Sequence, residues 1–106
     1  MRMAMGIALL AMAACGQKAS DPQRVDDILA LDGDPVAGEV VYGDNCSGCH
    51  GANGEGGSGP TMSSVAKNSE AGIINVVLSG EESMPSFDTL PDQDIADVVA
   101  YIVETY

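Results

Sequence analysis

Cys46-Ser47-Gly48-Cys49-His50 is the segment of this chain whose residue types and spacing could do chemistry. Two thiols three positions apart at the end of a helix can both reach the vinyl groups on one edge of a porphyrin. The histidine that follows then falls beneath the iron and can ligate it through an imidazole nitrogen. C-x-x-C-H is the attachment signature of a covalent haem, and covalent bonds retain that group in a domain too small to hold it by burial alone. Three other chemistries could use the same residues. A structural zinc ion needs four ligands, usually from two separated pairs, but His50 is the single histidine and there is no second cysteine pair. A thioredoxin-like thiol pair needs a βαβ surround, which the pattern does not offer. A plain disulfide between Cys46 and Cys49 leaves His50 without a role. Haem accounts for all three side chains.

The composition points the same way. With 106 residues, no Trp, one Phe and three Tyr, the chain suffices for one domain but has few large side chains for a core. A flat apolar group such as haem would fill the middle. The formal charge is −12, from 16 acidic against 4 basic residues. Nucleic acid is excluded as a partner because its phosphates would be repelled, and anionic lipid headgroups are disfavoured for the same reason. A partner with a basic patch would be steered towards such a surface.

The elements that position the motif follow a leader. Arg2 precedes an apolar run from Met3 to Ala14, too short to span a bilayer as a helix but suited to a signal peptide. Met12-Ala13-Ala14-Cys15 looks like a bacterial lipoprotein cleavage box, departing from it at Met12, where a branched residue is usual. Lipidation of Cys15 would also remove the odd thiol that remains once Cys46 and Cys49 are used. The expected organisation is therefore a signal peptide over 1–14, a lipidated cysteine, tether and short helix over 15–33, and a folded domain over 34–106.

Asp21 is a suitable N-cap, Pro22 fits the first helical position, and Val25, Ile28 and Leu29 share one face. Gly33 is expected to end this helix. Asp34-Pro35 opens a second, whose Val36, Val40 and Tyr42 suggest an apolar stripe, with Gly38 as a place of close approach. Five glycines between Gly51 and Gly59 exclude regular structure there. They do not form a phosphate-binding loop, since no Gly-Lys-Ser/Thr ending follows. Glu70 to Leu78 reads as a short buried helix stopped by Ser79-Gly80. From Asp92 on, Ile95, Val98, Val99, Ile102 and Val103 recur at helical spacing. No strand finds a partner, so the class is all-α.

Taken together, these features resemble the class I cytochrome c family from Asp34 to Tyr106. The resemblance is carried by Gly38 and Tyr42 ahead of Cys46-Ser47-Gly48-Cys49-His50-Gly51, then Gly59-Pro60, Ser83-Met84-Pro85-Ser86-Phe87, and the helix bearing Tyr101. It implies a small cytochrome c-like helical domain wrapped around one covalent haem c. The helix of Gly38 and Tyr42 would cross the C-terminal helix near Tyr101. Pro60 would offer its carbonyl oxygen to the second nitrogen of His50, orienting the ring. His50 and Met84 would be the axial ligands, leaving a cavity lined by Cys46, Cys49, His50, Pro60 and Met84 wherever the haem is not drawn. Met62, the other methionine of the mature chain, stands where the family places a buried leucine.

A thioether ligand favours ferrous iron and raises the reduction potential relative to two histidines. With both axial positions filled, no site is open to oxygen or peroxide. The implied function is one-electron transfer on the outer side of a bacterial membrane, between redox proteins of a respiratory or photosynthetic chain. The rivals are a haem enzyme or gas sensor, in which Met84 dissociates, and a haem-free thiol protein. Glu81-Glu82 departs from relatives that carry Lys nearby, which favours docking by basic partners.

Overall fold

A computed structural model describes residues 20–106. The expected signal peptide over 1–14, the expected lipidation site at Cys15 and the first part of the expected tether lie outside the described residues. Six helices follow in order: α1 (Pro22–Leu29), α2 (Pro35–Asn45), α3 (Ser47–His50), α4 (Met62–Val65), α5 (Glu70–Ser79) and α6 (Asp92–Thr105). Among the described residues there is no strand, only an isolated bridge between Glu81 and Met84. The all-α expectation holds.

Local chemistry sets the helix starts. The Asp21 carboxylate accepts from the Gln23 N–H at 3.0 Å, and the Asp34 carboxylate from the Val36 N–H at 2.9 Å. A proline follows each cap at the first helical position, where a missing N–H costs nothing. Ser69 caps α5 by accepting from the Gly72 N–H at 3.0 Å, and Gly80 stops that helix at a φ of 76°. On α6, Asp92 and Asp94 occupy the first turn, where acids favour the positive helix end. Its Ile95, Val98, Val99 and Ile102 are buried together with Ile73, Ile74, Val77 and Leu78 of α5.

The most extensive packing is between α2 and α6. A Cβ placed on Gly38 would lie 2.5 Å from the Asp97 carbonyl carbon and 2.9 Å from Tyr101 Cβ, so only hydrogen fits at the crossing. One turn on, Tyr42 is 2% exposed, its ring centroid 5.5 Å from that of Tyr101. Asp97, buried on α6, accepts from the Asp34 N–H and from Gln93 Nε2, both at 2.8 Å. The start of α2 is thereby tied to α6 as well as its middle.

Two local expectations are corrected. Val36 and Val40 do not form a buried stripe: they are 76% and 64% exposed. Each stands two positions from Gly38, on the other side of the helix, and the face that packs is the one where backbones can touch. Gly33 does not end α1, which stops at Leu29 with Ala30 as its cap. Gly33 instead abuts α6, where a Cβ would sit 2.9 Å from Ala100 Cβ. Val103 continues the apolar periodicity of α6 but is half-exposed. α1 itself lies against α5 and α6, with Ile28 1% exposed. Replacing Gly38→Ala forces α2 and α6 apart, and denaturant unfolding of the haem-loaded protein should show a loss of about 1–3 kcal/mol.

Candidate haem site

α2 delivers the attachment motif directly. The Cys46 N–H donates to the Tyr42 carbonyl at 2.8 Å, and the His50 N–H donates to the Cys46 carbonyl at 3.0 Å. Between them the single turn of α3 gathers Cys46, Cys49 and His50 along one wall of a cavity of about 660 Å³. Pro60 and Met84 line the same cavity, with Met62, Ile73, Val77 and Ile102 among its apolar walls. Every candidate site residue read from the sequence therefore faces one space. Met62, buried at 2% exposure, serves that space as a wall.

His50 is held in one orientation. Its Nδ1 lies 2.8 Å from the Pro60 carbonyl oxygen, and because a carbonyl can only accept, Nδ1 carries the proton. Nε2 then keeps its lone pair and is available to a metal. Gly59 lies against the same ring: a Cβ there would come within 2.7 Å of His50 Cε1 and 2.9 Å of Nδ1. The glycine-rich segment folds back onto α3, its Gly56 N–H donating to the His50 carbonyl at 2.7 Å and its Gly59 N–H to the Cys49 carbonyl at 2.9 Å. Tyr42 donates its hydroxyl to the Gly51 carbonyl at 2.6 Å. Gly54, at a φ of 69° that favours glycine, fits beneath the Tyr106 ring.

Met84 comes from the segment joining α5 to α6. Its N–H donates to the Glu81 carbonyl at 2.7 Å, and the Glu81 N–H donates back at 3.1 Å. The turn between them places Glu82 at a φ of 52°, an uncommon value for a side chain of this kind. Beyond Met84, the Ser86 hydroxyl donates to the Leu78 carbonyl at 2.6 Å and the Phe87 N–H to the Val77 carbonyl at 2.8 Å. Both bonds fasten the loop to the last turn of α5.

These residues fit a c-type haem. Two thiols, an imidazole with a free Nε2 and a thioether border a space with largely apolar walls. Thiol redox chemistry fits less well, because burial, and secondarily Cys49 nearby, push the Cys46 thiol up to about 11. Reactive thiol pairs require the opposite shift. Zinc fits less well too, since among the described residues no three His, Cys, Asp or Glu side chains converge as metal ligands.

Sequence reasoning assigned no task to Gly59 beyond its place beside Pro60, nor to the Tyr42 hydroxyl. Only the position of Gly59 two residues after the Gly56-Gly57 pair hinted at backbone crowding. Gly59→Ala should push the His50 ring off the Pro60 carbonyl. The expected readouts are faster exchange of the Nδ1 proton by NMR and a stability loss of about 1–3 kcal/mol.

The comparisons agree with this geometry. The family model described as cytochrome c oxidase, cbb3-type, subunit III matches residues 33–102. A cytochrome c-553-like protein of Synechocystis sp. is 36% identical over 98 residues, covering 91% of each chain. Cytochrome c-551 of Bacillus subtilis is 33% identical over 90 residues, covering 84% of this chain and 79% of its own. The crystal structure of cytochrome c6 from the diatom Phaeodactylum tricornutum superposes with a TM-score of 0.60 at 34% identity, over 68% of this chain and 93% of that one. Cytochrome cL of Methylophaga aminisulfidivorans shares the fold, with a TM-score of 0.64 at 24% identity over 79% of this chain and 68% of its own. This chain therefore belongs to the class I monohaem c-type cytochrome family, as an electron carrier with one covalent haem c and not as an enzyme.

Proposed function

We propose that this protein is an extracytoplasmic one-electron carrier, tethered to a bacterial membrane through a lipid on Cys15, with His50 and Met84 as axial ligands to the haem iron. The observation that carries the ligand assignment is the His50–Pro60 hydrogen bond, which leaves Nε2 free on the wall of a cavity that Met84 also lines. Haem bound there supplies a ferric/ferrous couple. Cys46 and Cys49 would hold it covalently, and Pro60 would keep His50 oriented and basic. The thioether of Met84 would favour the reduced state and, together with His50, would leave the iron no open site. The anchor reading rests on the apolar run to Ala14 and on Cys15.

Partner choice follows from charge. Glu81 and Glu82 are exposed at the cavity rim. Of the two basic residues in the described range, Arg24 and Lys67, the first is engaged by Asp92 at 2.8 Å. Such a surface attracts a redox protein of a respiratory or photosynthetic chain that presents a basic patch, and the attraction weakens with salt.

Two measurements test this reading. The oxidised protein should show the weak far-red band of a methionine–ferric iron bond and the reduced protein sharp low-spin bands, and Met84→Ala should abolish the far-red band. A high-spin spectrum of the unchanged protein that shifts with carbon monoxide would favour a sensor or enzyme, and a colourless product would overturn the assignment. Replacing Glu81 and Glu82 by Lys should flatten or invert the salt dependence of electron transfer to a basic partner, read by stopped flow. An unchanged dependence would remove the rim from the docking surface.

A further inference from the structure

α1 lies outside residues 33–102, the span matched by the family model, yet it is joined to the loop that carries Met84. The three nitrogens of the Arg24 guanidinium each have a separate partner. Nη1 donates to the Asp88 carbonyl at 2.7 Å, Nη2 to the Leu90 carbonyl at 2.9 Å, and Nε to the Asp92 carboxylate at 2.8 Å. The first two are backbone atoms of the loop itself, and the third opens α6.

On the Met84 side, Ser86 and Phe87 tie the loop to α5. The stretch after Phe87 contains Pro91, which has no N–H to give, and its carbonyls at 88 and 90 turn towards Arg24. The guanidinium fork matches such a set of fixed acceptors in a way an ammonium would not. Arg24 is in turn immobilised, because Ile28, one turn along α1, is buried in the core.

We propose that Arg24 is a positioning residue for Met84: α1 acts as a brace that holds the second half of the ligand loop and so limits how often the thioether leaves the iron. This rests on the assignment of Met84 as an axial ligand. A swing of the loop away from the cavity would carry the sulfur with it. Arg24 raises the cost of that swing by holding two loop carbonyls and the first residue of α6.

The test uses the full haem-loaded chain in its ferric form, with imidazole as the probe. As imidazole is raised to saturation, the rate of loss of the far-red band reaches a plateau set by departure of the sulfur. Arg24→Gln should raise this plateau about tenfold, the factor expected when charge-assisted bonds are lost. Arg24→Lys, which can keep the Asp92 pair but not the fork, should fall between the two and also serves if Arg24→Gln does not accumulate. Val99→Ala, a core change on α6 away from the loop, should lower global stability in urea and leave the plateau within about twofold. A plateau in Arg24→Gln within about twofold of the unchanged chain, or one raised equally by Val99→Ala, would overturn the brace. A missing far-red band in the unchanged chain would overturn the ligand assignment instead, and the brace with it.

Discussion

A chain with no tryptophan and a single phenylalanine cannot fill the space that its helices enclose, and the placement of each element answers to that deficit. The branched side chains of α5 and α6 pack tightly against each other, but on one side they face the cavity of about 660 Å³. Interiors of folded proteins are normally as dense as organic crystals. The apolar walls of the cavity, with Ile73, Val77 and Ile102 among them, offer contacts to a large flat occupant. Haem would fill that space, and the sulfurs of Cys46 and Cys49 line it where such a group can be fixed covalently. Fold and cofactor are one solution to one packing problem.

The two sides of the cavity are secured differently. The His50 side is built from consecutive residues: α2 runs into α3, the glycine-rich segment returns its N–H groups to the carbonyls of Cys49 and His50, and Pro60 fixes the imidazole. Tyr42, Tyr101 and Tyr106 close that side from behind, with ring centroids 5.5 to 6.3 Å apart. The Met84 side is a loop between two helices, fastened by a few bonds to α5 and, through Arg24, to α1. One side is a rigid platform and the other a fitted clasp.

Much of this was legible in the sequence because the signals are local. The C-x-x-C-H spacing, the capped starts at Asp21-Pro22 and Asp34-Pro35, and the periodicity of Ile95, Val98, Val99 and Ile102 depend only on near neighbours. Pro60 and Met84 were legible through likeness to a known family and not through their own chemistry. What could not be read was which face of α2 packs. Val36 and Val40 attract attention because they are apolar, whereas the packing face is chosen by a residue with no side chain, Gly38, whose value lies in letting the Asp97 backbone approach. Gly33 misled for the same reason. The Arg24 contacts were equally hidden, since they join residues more than sixty positions apart and follow no periodic rule.

The crossing of α2 and α6 has a consequence for the order of events in the life of the chain. Its two halves, around Gly38 and around Asp97, lie near opposite ends of the described residues, so the contact closes a long loop that must first be brought together. Until Asp92–Thr105 has docked, α2 lacks its most extensive packing partner. Cys46 and Cys49, just past the C-terminal end of α2, therefore belong to a half-built frame until that contact closes. The docking of α6, which sets Ile102 against the cavity, is the step that completes the frame around the haem site.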